Sequence, residues 1–422
     1  MSSSLAVKDH ALIDKIVAER ALDGSRGSII VMDCETGELL VVASAPRYDL
    51  SRFVPSLTSS YWRQLLDDPM RPLYGRACNG VYAIGSVFKP LIALSALREG
   101  VIDDQTHFYC SGKVDVGDVQ FNCARKSGHG DINLRQAICT SCNPFFIYAG
   151  LDLQYEPHIY KDALDAGFGQ IPQLEIPCSR GVLPTSAWKI SREHDRWRDG
   201  DTANISMGQG FLSATPLQVA VYASALANGG KVLRPRLVLP ENGEPCVGEV
   251  LREMNWREKD LALVYRGMWD VVNSGWGTGR RAKLDGISLA GKTGTAEYME
   301  GSVKKKNAWM IAFAPFEKPK YAIVAMQEDS DAGGLSAAML IKKMTQAIFM
   351  PNTVESFVDT VEENDEGDLI EIHELIPADI NIDLAIHPQP LVVEPIIPTE
   401  IPEPIVEEEN ITPTESLITE EQ

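Results

Sequence analysis

Residues 80–98, GVYAIGSVFKPLIALSALR, decide how the rest of the chain is read. From Ser86 to Arg98 the apolar residues Val87, Phe88, Leu91, Ile92, Leu94 and Leu97 recur at helical spacing, and Gly100 ends the run. Pro90 is tolerable there only because it falls in the first turn, where few backbone donors have partners. A helix opening at this point sets Lys89 one turn beyond Ser86 on the same face, its amine in reach of the hydroxyl. Its N–H groups point at whatever the serine attacks, which favours a developing oxyanion. A serine hydroxyl is unreactive at neutral pH unless a neighbouring base takes its proton, and a lysine desolvated by helix packing is such a base.

Working outward, residues 28–45 read as two β-rich runs joined at Glu-Thr-Gly-Glu, a hairpin. Prolines punctuate the irregular stretch 46–80. Residues 103–131 show no clear period and read as loop. Helices are predicted over 133–140 and from Pro144, a residue suited to the first helical position. Thr215-Pro-Leu-Gln218 is a capping box opening an apolar helix that ends at Asn228-Gly-Gly. β-Like runs follow at 287–297, 308–315 and 321–327, then a helix over 336–349. Strands at the start and near residue 300, with helices between, predict an α+β domain whose sheet is assembled from both ends of the body.

The pattern Ser-x-x-Lys occurs three times, at Ser86–Lys89, Ser186–Lys189 and Ser302–Lys305. A chain this long should hold roughly one or two by chance, so context must choose. Ser302 sits in a Lys-rich loop and Ser186 follows a Gly-Val-Leu-Pro turn; neither setting suggests chemistry. Two more elements accompany Ser86 in order: Ser141-Cys-Asn143 on the turn before Pro144, and Lys292-Thr-Gly294-Thr295 at a strand. The three together form the motif set of serine acyltransferases that bind penicillin.

Charge divides the chain. It holds 39 Lys and Arg against 59 Asp and Glu, a net −20; residues 351–422 carry 20 of the acids, nine prolines and no Lys or Arg. The body is therefore neutral, and the tail reads as a disordered, solvated extension. That balance argues against nucleic acid as the main partner. No apolar run approaches the roughly 18 to 20 residues that cross a bilayer, and no secretory signal is visible, so a soluble chain is expected. Three regions are predicted: a helical lead-in (1–27), the catalytic body (28–350) and the acidic tail (351–422).

The body resembles the transpeptidase domain of class B penicillin-binding proteins, especially the elongation type, penicillin-binding protein 2. The likeness is carried by GSIIVMDCETGELLVVASAPRYD, NGVYAIGSVFKP, GHGDINL, MGQGFLSATPLQVA, AGKTGTAEY and NAWMIAFAP. It implies the penicillin-recognising, β-lactamase-like fold, with a five-stranded antiparallel sheet between helices. It implies that Ser86 is acylated by the D-Ala-D-Ala end of a peptidoglycan stem peptide, with Lys89 as base and Ser141 relaying protons. Asn143 would contact the substrate amide, while Lys292, Thr293, Gly294 and Thr295 would hold the terminal carboxylate end. Backbone N–H groups of Ser86 and Thr295 would form the oxyanion hole. β-Lactam antibiotics, a membrane glycosyltransferase and elongation-complex proteins are the implied partners, at the periplasmic face of the cytoplasmic membrane. Members of the family normally begin with a membrane anchor and an elongated module, neither of which is seen in these residues. Alternatives are a β-lactamase or D,D-carboxypeptidase, in which water deacylates Ser86, and a non-catalytic β-lactam-sensing domain.

Cys110, Cys123, His129 and Cys142 are a candidate metal set. Their spacing is no CxxC knuckle, so spacing alone leaves open buried free cysteines beside a surface histidine. The resemblance adds that some elongation-type members have a zinc site of two Asp, a His and a Cys, with the aspartates falling at Cys110 and Cys123. Cys3His would then be a structural zinc site, with a Cys110–Cys123 disulfide as its chief competitor. No cofactor is expected for the acyl transfer itself.

Overall fold

The computed structural model describes residues 17–237, 247–330 and 333–350, and in the tail only a short antiparallel ladder of Glu362–Glu363 with Leu369–Ile370. The chain divides into two units, Met1–Asp359 and Thr360–Gln422. The expectations for residues 1–16 and for the rest of the acidic tail lie outside the described residues.

The predicted hairpin forms as β1 (Gly27–Asp33) and β2 (Leu39–Ala45). The late strands are β3 (Ala290–Glu300), β4 (Val303–Ala314) and β5 (Tyr321–Gln327). They join in the order β2-β1-β5-β4-β3, all antiparallel. The two ends of the body thus meet where β1 pairs with β5, Ile30 opposite Val324. Every residue from Gly27 to Met32 is buried, so both faces of the sheet are covered. Helices α4 (Pro216–Ala227) and α6 (Ser336–Phe349) pack on its central strands. Thr215 and Gln218 form the expected capping box on α4.

The remaining helices that matter to the site are α1 (Lys89–Arg98), α2 (Leu134–Thr140), α3 (Asn143–Leu153) and α5 (Glu258–Asn273). Two expectations need correction. Residues 103–131 are not loop: His107–Cys110 pairs with Gly130–Asn133, and Lys113–Val116 with Val119–Asn122. Strands of four residues are too short to show a period. The Lys-rich stretch after Ser302 is also strand, because Lys304 and Lys305 reach Glu297 and Glu300 on β3 and extend the β3–β4 ladder. Among the described residues no helix is long and apolar enough to cross a membrane.

Candidate active site

Ser86 lies in a 3-10 turn, Gly85–Phe88, that runs directly into α1. Val87 and Phe88 are buried beneath it while Ser86 stays half-exposed. The turn rests on a second backbone: Gly85 N donates to the Gly208 carbonyl at 2.8 Å. A Cβ on Gly208 would lie 2.0 Å from the Gly85 oxygen, and its φ is +74°, so only glycine fits.

The segment leading into this turn is pinned by residues that the sequence did not mark. Arg76 is fully buried; its Nε donates to Glu328 Oε1 at 2.9 Å, and its other nitrogens reach the carbonyls of Met70 and Arg71. The Tyr82 hydroxyl donates to the same Glu328 oxygen at 2.7 Å. Trp309 Nε1 donates to the Ala83 carbonyl at 3.1 Å. Single residues some 250 positions apart leave no pattern in a sequence.

Lys89 opens α1 and is completely buried. Its amine donates to Asn143 Oδ1 at 2.7 Å, the Ser141 carbonyl at 2.8 Å and Ser141 Oγ at 3.3 Å. This departs from the expected reach toward Ser86, although the two residues share one turn. In a dry site the amine takes the stronger acceptors, an amide oxygen and a carbonyl, ahead of a hydroxyl. None of the three acceptors is charged. Burial pushes the Lys89 pKa down to about 8, partly opposed by the Cys142 and Cys123 sulfurs nearby.

Ser141 caps α2 in the left-handed region, φ +57°. That kink aims its hydroxyl between two amines, for Lys292 Nζ donates to Ser141 Oγ at 2.8 Å and to the Thr293 carbonyl at 2.9 Å. Lys292 is also fully buried, and burial, reinforced by the Lys89 charge, drives its pKa well below the usual lysine range. Two ammonium ions against one hydroxyl in a water-poor site repel, so one proton is easily given up. Asn143 is held from its other end, its Nδ2 donating to the Asn122 carbonyl at 2.9 Å.

β3 forms the opposite wall. It is an edge strand, with Gly294 paired to Trp309 and Thr293 to Met310 on β4. Thr293 Oγ1 donates to Thr278 Oγ1 at 2.7 Å, and Thr295 Oγ1 accepts from Gly333 N at 3.2 Å. Gly333 approaches so closely that a Cβ there would sit 2.0 Å from the Gly294 oxygen. Thr278 was missed in the sequence; its only signal is the Gly277-Thr-Gly279 flank. The structure therefore brings Ser86, Lys89, Ser141, Asn143 and Lys292–Thr295 together where the Ser86 turn, the Ser141 turn and β3 meet.

Behind the Ser141 turn, the ligand atoms of Cys110, Cys123, His129 and Cys142 all lie within 4.8 Å of one another. Cys123 Sγ and His129 Nδ1 are 3.5 Å apart. A tetrahedral zinc with ordinary Zn–S and Zn–N lengths needs about 3.6 Å along that edge, so the donor set and spacing fit. Cys142 hydrogen-bonds to the Cys123 sulfur and, with the backbone N–H groups of Arg125 and Asn143, lowers the Cys123 pKa to about 4 against its burial, while Cys142 itself is raised. All three cysteines are free thiols in this structure.

Residues 27–346 match the penicillin binding protein transpeptidase domain. Peptidoglycan D,D-transpeptidase MrdA of Haemophilus influenzae is 34% identical over 344 residues, 76% of this chain and 53% of that protein. The chain spans about half the length of the curated relatives it matches. Among solved structures, PBP2 of Helicobacter pylori in complex with MreC superposes with a TM-score of 0.72 at 34% identity, over 81% of this chain and 62% of that one. PBP2 of Pseudomonas aeruginosa in complex with WCK 5153 gives 0.72 at 28%, over 85% and 76%. The fold expected from the resemblance is thus the fold observed, and the chain belongs to the penicillin-binding protein transpeptidase domain family.

Proposed function

We propose that this chain is a serine D,D-transpeptidase that cross-links peptidoglycan stem peptides, with Ser86 as nucleophile. The observation that carries the reading is the Ser141 hydroxyl shared by the buried Lys89 and Lys292 amines, with the half-exposed Ser86 in the turn that runs into Lys89. Neutral Lys89 takes the Ser86 proton as Ser86 Oγ attacks the penultimate D-Ala carbonyl. The tetrahedral oxyanion is held by the N–H groups of Ser86 and Thr295. The proton passes from Lys89, with Ser141 as relay, to the departing D-Ala nitrogen; the amide bond breaks and an ester to Ser86 remains. An amine from a neighbouring stem then attacks the ester carbonyl and gives a proton to Lys89; the ester C–O bond breaks, Ser86 takes that proton back as its hydroxyl, and the new amide is the cross-link. Lys292, Thr293 and Thr295 bind the terminal carboxylate, with Gly294 keeping the strand close to the Ser86 turn, and Asn143 orients the substrate amide. A β-lactam enters by the same acylation and stays.

The Cys110, Cys123, His129 and Cys142 set is read as a structural zinc site that clamps the 107–133 ladders to the Ser141 turn. Zinc near one equivalent is expected in purified protein, falling with Cys123→Ser; absence of bound metal overturns this part alone. By analogy with the MreC complex of the Helicobacter relative, partners are an elongation scaffold and a glycan-polymerising membrane enzyme, at the outer face of the cytoplasmic membrane.

The test is labelling with a fluorescent penicillin, followed over hours. Stable label on the wild type and none on Ser86→Ala is expected. Rapid loss of label would instead make the chain a β-lactamase or carboxypeptidase. Failure to cross-link lipid-linked glycan strands despite stable label would leave a sensing domain.

A further inference from the structure

Cys78 and Cys178 take no part in the site or in the metal cluster. Cys78 is buried and Cys178 is half-buried; the two side chains are neighbours, and Cys178 Sγ donates to the Ile176 carbonyl at 3.4 Å. Their backbones are also tied: Ser179 N donates to the Cys78 carbonyl at 3.0 Å, and the Ser179 hydroxyl to the Asn79 carbonyl at 3.1 Å. The contact closes one end of a small ladder on the segment leading into Ser86. Tyr82 and Ala214 exchange hydrogen bonds of 3.0 and 2.8 Å, and Val182 and Ser213 exchange bonds of 2.8 and 2.9 Å. A metal does not explain the pair. Among the described residues the one cluster of three or more ligating side chains is that of Cys110, so these two sulfurs lack a third ligand.

We propose that Cys78 and Cys178 are a disulfide site, closed when the chain meets a disulfide donor. Cys178, the more exposed thiol, loses its proton and attacks one sulfur of the donor; the donor's S–S bond breaks and its other sulfur leaves as a thiolate that takes up a proton. Cys78 then loses its proton, attacks the Cys178 sulfur of the mixed disulfide and expels the donor's second thiolate, which is protonated in turn. Two cysteine S–H groups become one S–S bond, and the donor is reduced to two thiols. The cross-link closes a loop of about a hundred residues and fastens the 171–184 segment to the stretch that delivers Ser86.

The experiment uses the full chain, purified reduced and then exposed to oxidised glutathione. Free thiols are alkylated, and tryptic peptides are mapped without reduction. Each relevant peptide, 77–98 and 162–180, holds one cysteine. A linked pair about 2 Da lighter than their sum is expected, with the melting temperature raised by roughly 5 °C. In Cys178→Ser both effects should vanish while penicillin labelling persists, which shows that the variant folds. Recovery of both peptides fully alkylated overturns the proposal. So does linkage of either cysteine to the Cys110 cluster, or a melting shift that persists in Cys178→Ser.

Discussion

Lys89 and Lys189 stand at the same place in the same tetrapeptide, and both are buried. What faces them differs. Lys189 donates to Asp201 at 2.6 Å and lies 3.5 Å from Asp195. Lys89 has only neutral acceptors, from Ser141 and Asn143. A carboxylate beside a buried amine keeps the proton on; neutral oxygens in a dry pocket let it go. Lys189 is thus held in ion pairs, whereas the pKa of Lys89 is lowered by burial to about 8, as the proposed base requires. Residue pattern supplies the candidates, and the counter-charge chooses among them.

That contrast breaks most visibly at the serines. Ser86→Ala should reduce the rate of penicillin acylation roughly a thousandfold or more, while Ser186→Ala leaves it within about twofold. Equal losses in both would show that the contrast is mistaken. At the lysines, Lys89→Met should slow acylation by about 10²–10⁴ with little loss of protein. Lys189→Met should do the reverse. It strands the partly exposed Asp201, at a cost of about 2 kcal/mol, and leaves the labelling rate of the folded fraction unchanged.

The pH profile sharpens the same point. With the Lys89 pKa lowered to about 8, the base form is the minority at neutral pH. Acylation should climb about tenfold per unit as pH rises toward 8 and level off above it, because deprotonation creates the reactive species. A flat profile from pH 6 to 9 would mean that Lys89 is not the group titrating.

Much of this was legible from local pattern. The hairpin at 28–45, the capped helix at Thr215 and the order of Ser86, Ser141 and Lys292 are all short-range signals, and the α+β class follows from where the strands fall. The Lys89 amine is different: its preference for Ser141 and Asn143 depends on which acceptors the fold presents. The ladders within 103–131 escaped because four-residue strands pair through backbone, which carries no residue signature. Arg76 and Glu328 escaped because a buried ion pair across 252 positions looks like two ordinary charges. Thr278 is one threonine between two glycines until Thr293 is placed beside it.

The third Ser-x-x-Lys gives the smallest effect and the cleanest control. Lys305 lies 2.5 Å from both Glu300 and Asp329, which raise its pKa to about 12, so it stays charged at any workable pH. Asp329 also meets Arg26, which in turn meets Glu328, so Lys305 and Arg76 are the two ends of one network. The ends should respond differently. Arg76→Met leaves Glu328 without its buried partner, strips the Met70 and Arg71 carbonyls of their donor and should cost about 3 kcal/mol of stability. Lys305→Met removes a cation that water and neighbouring Arg26 can replace, and melting and labelling should both stay near wild type. A large loss of labelling in Lys305→Met with an unchanged melting temperature would mean that this lysine, too, reaches the chemistry, and counter-charge would no longer separate the three.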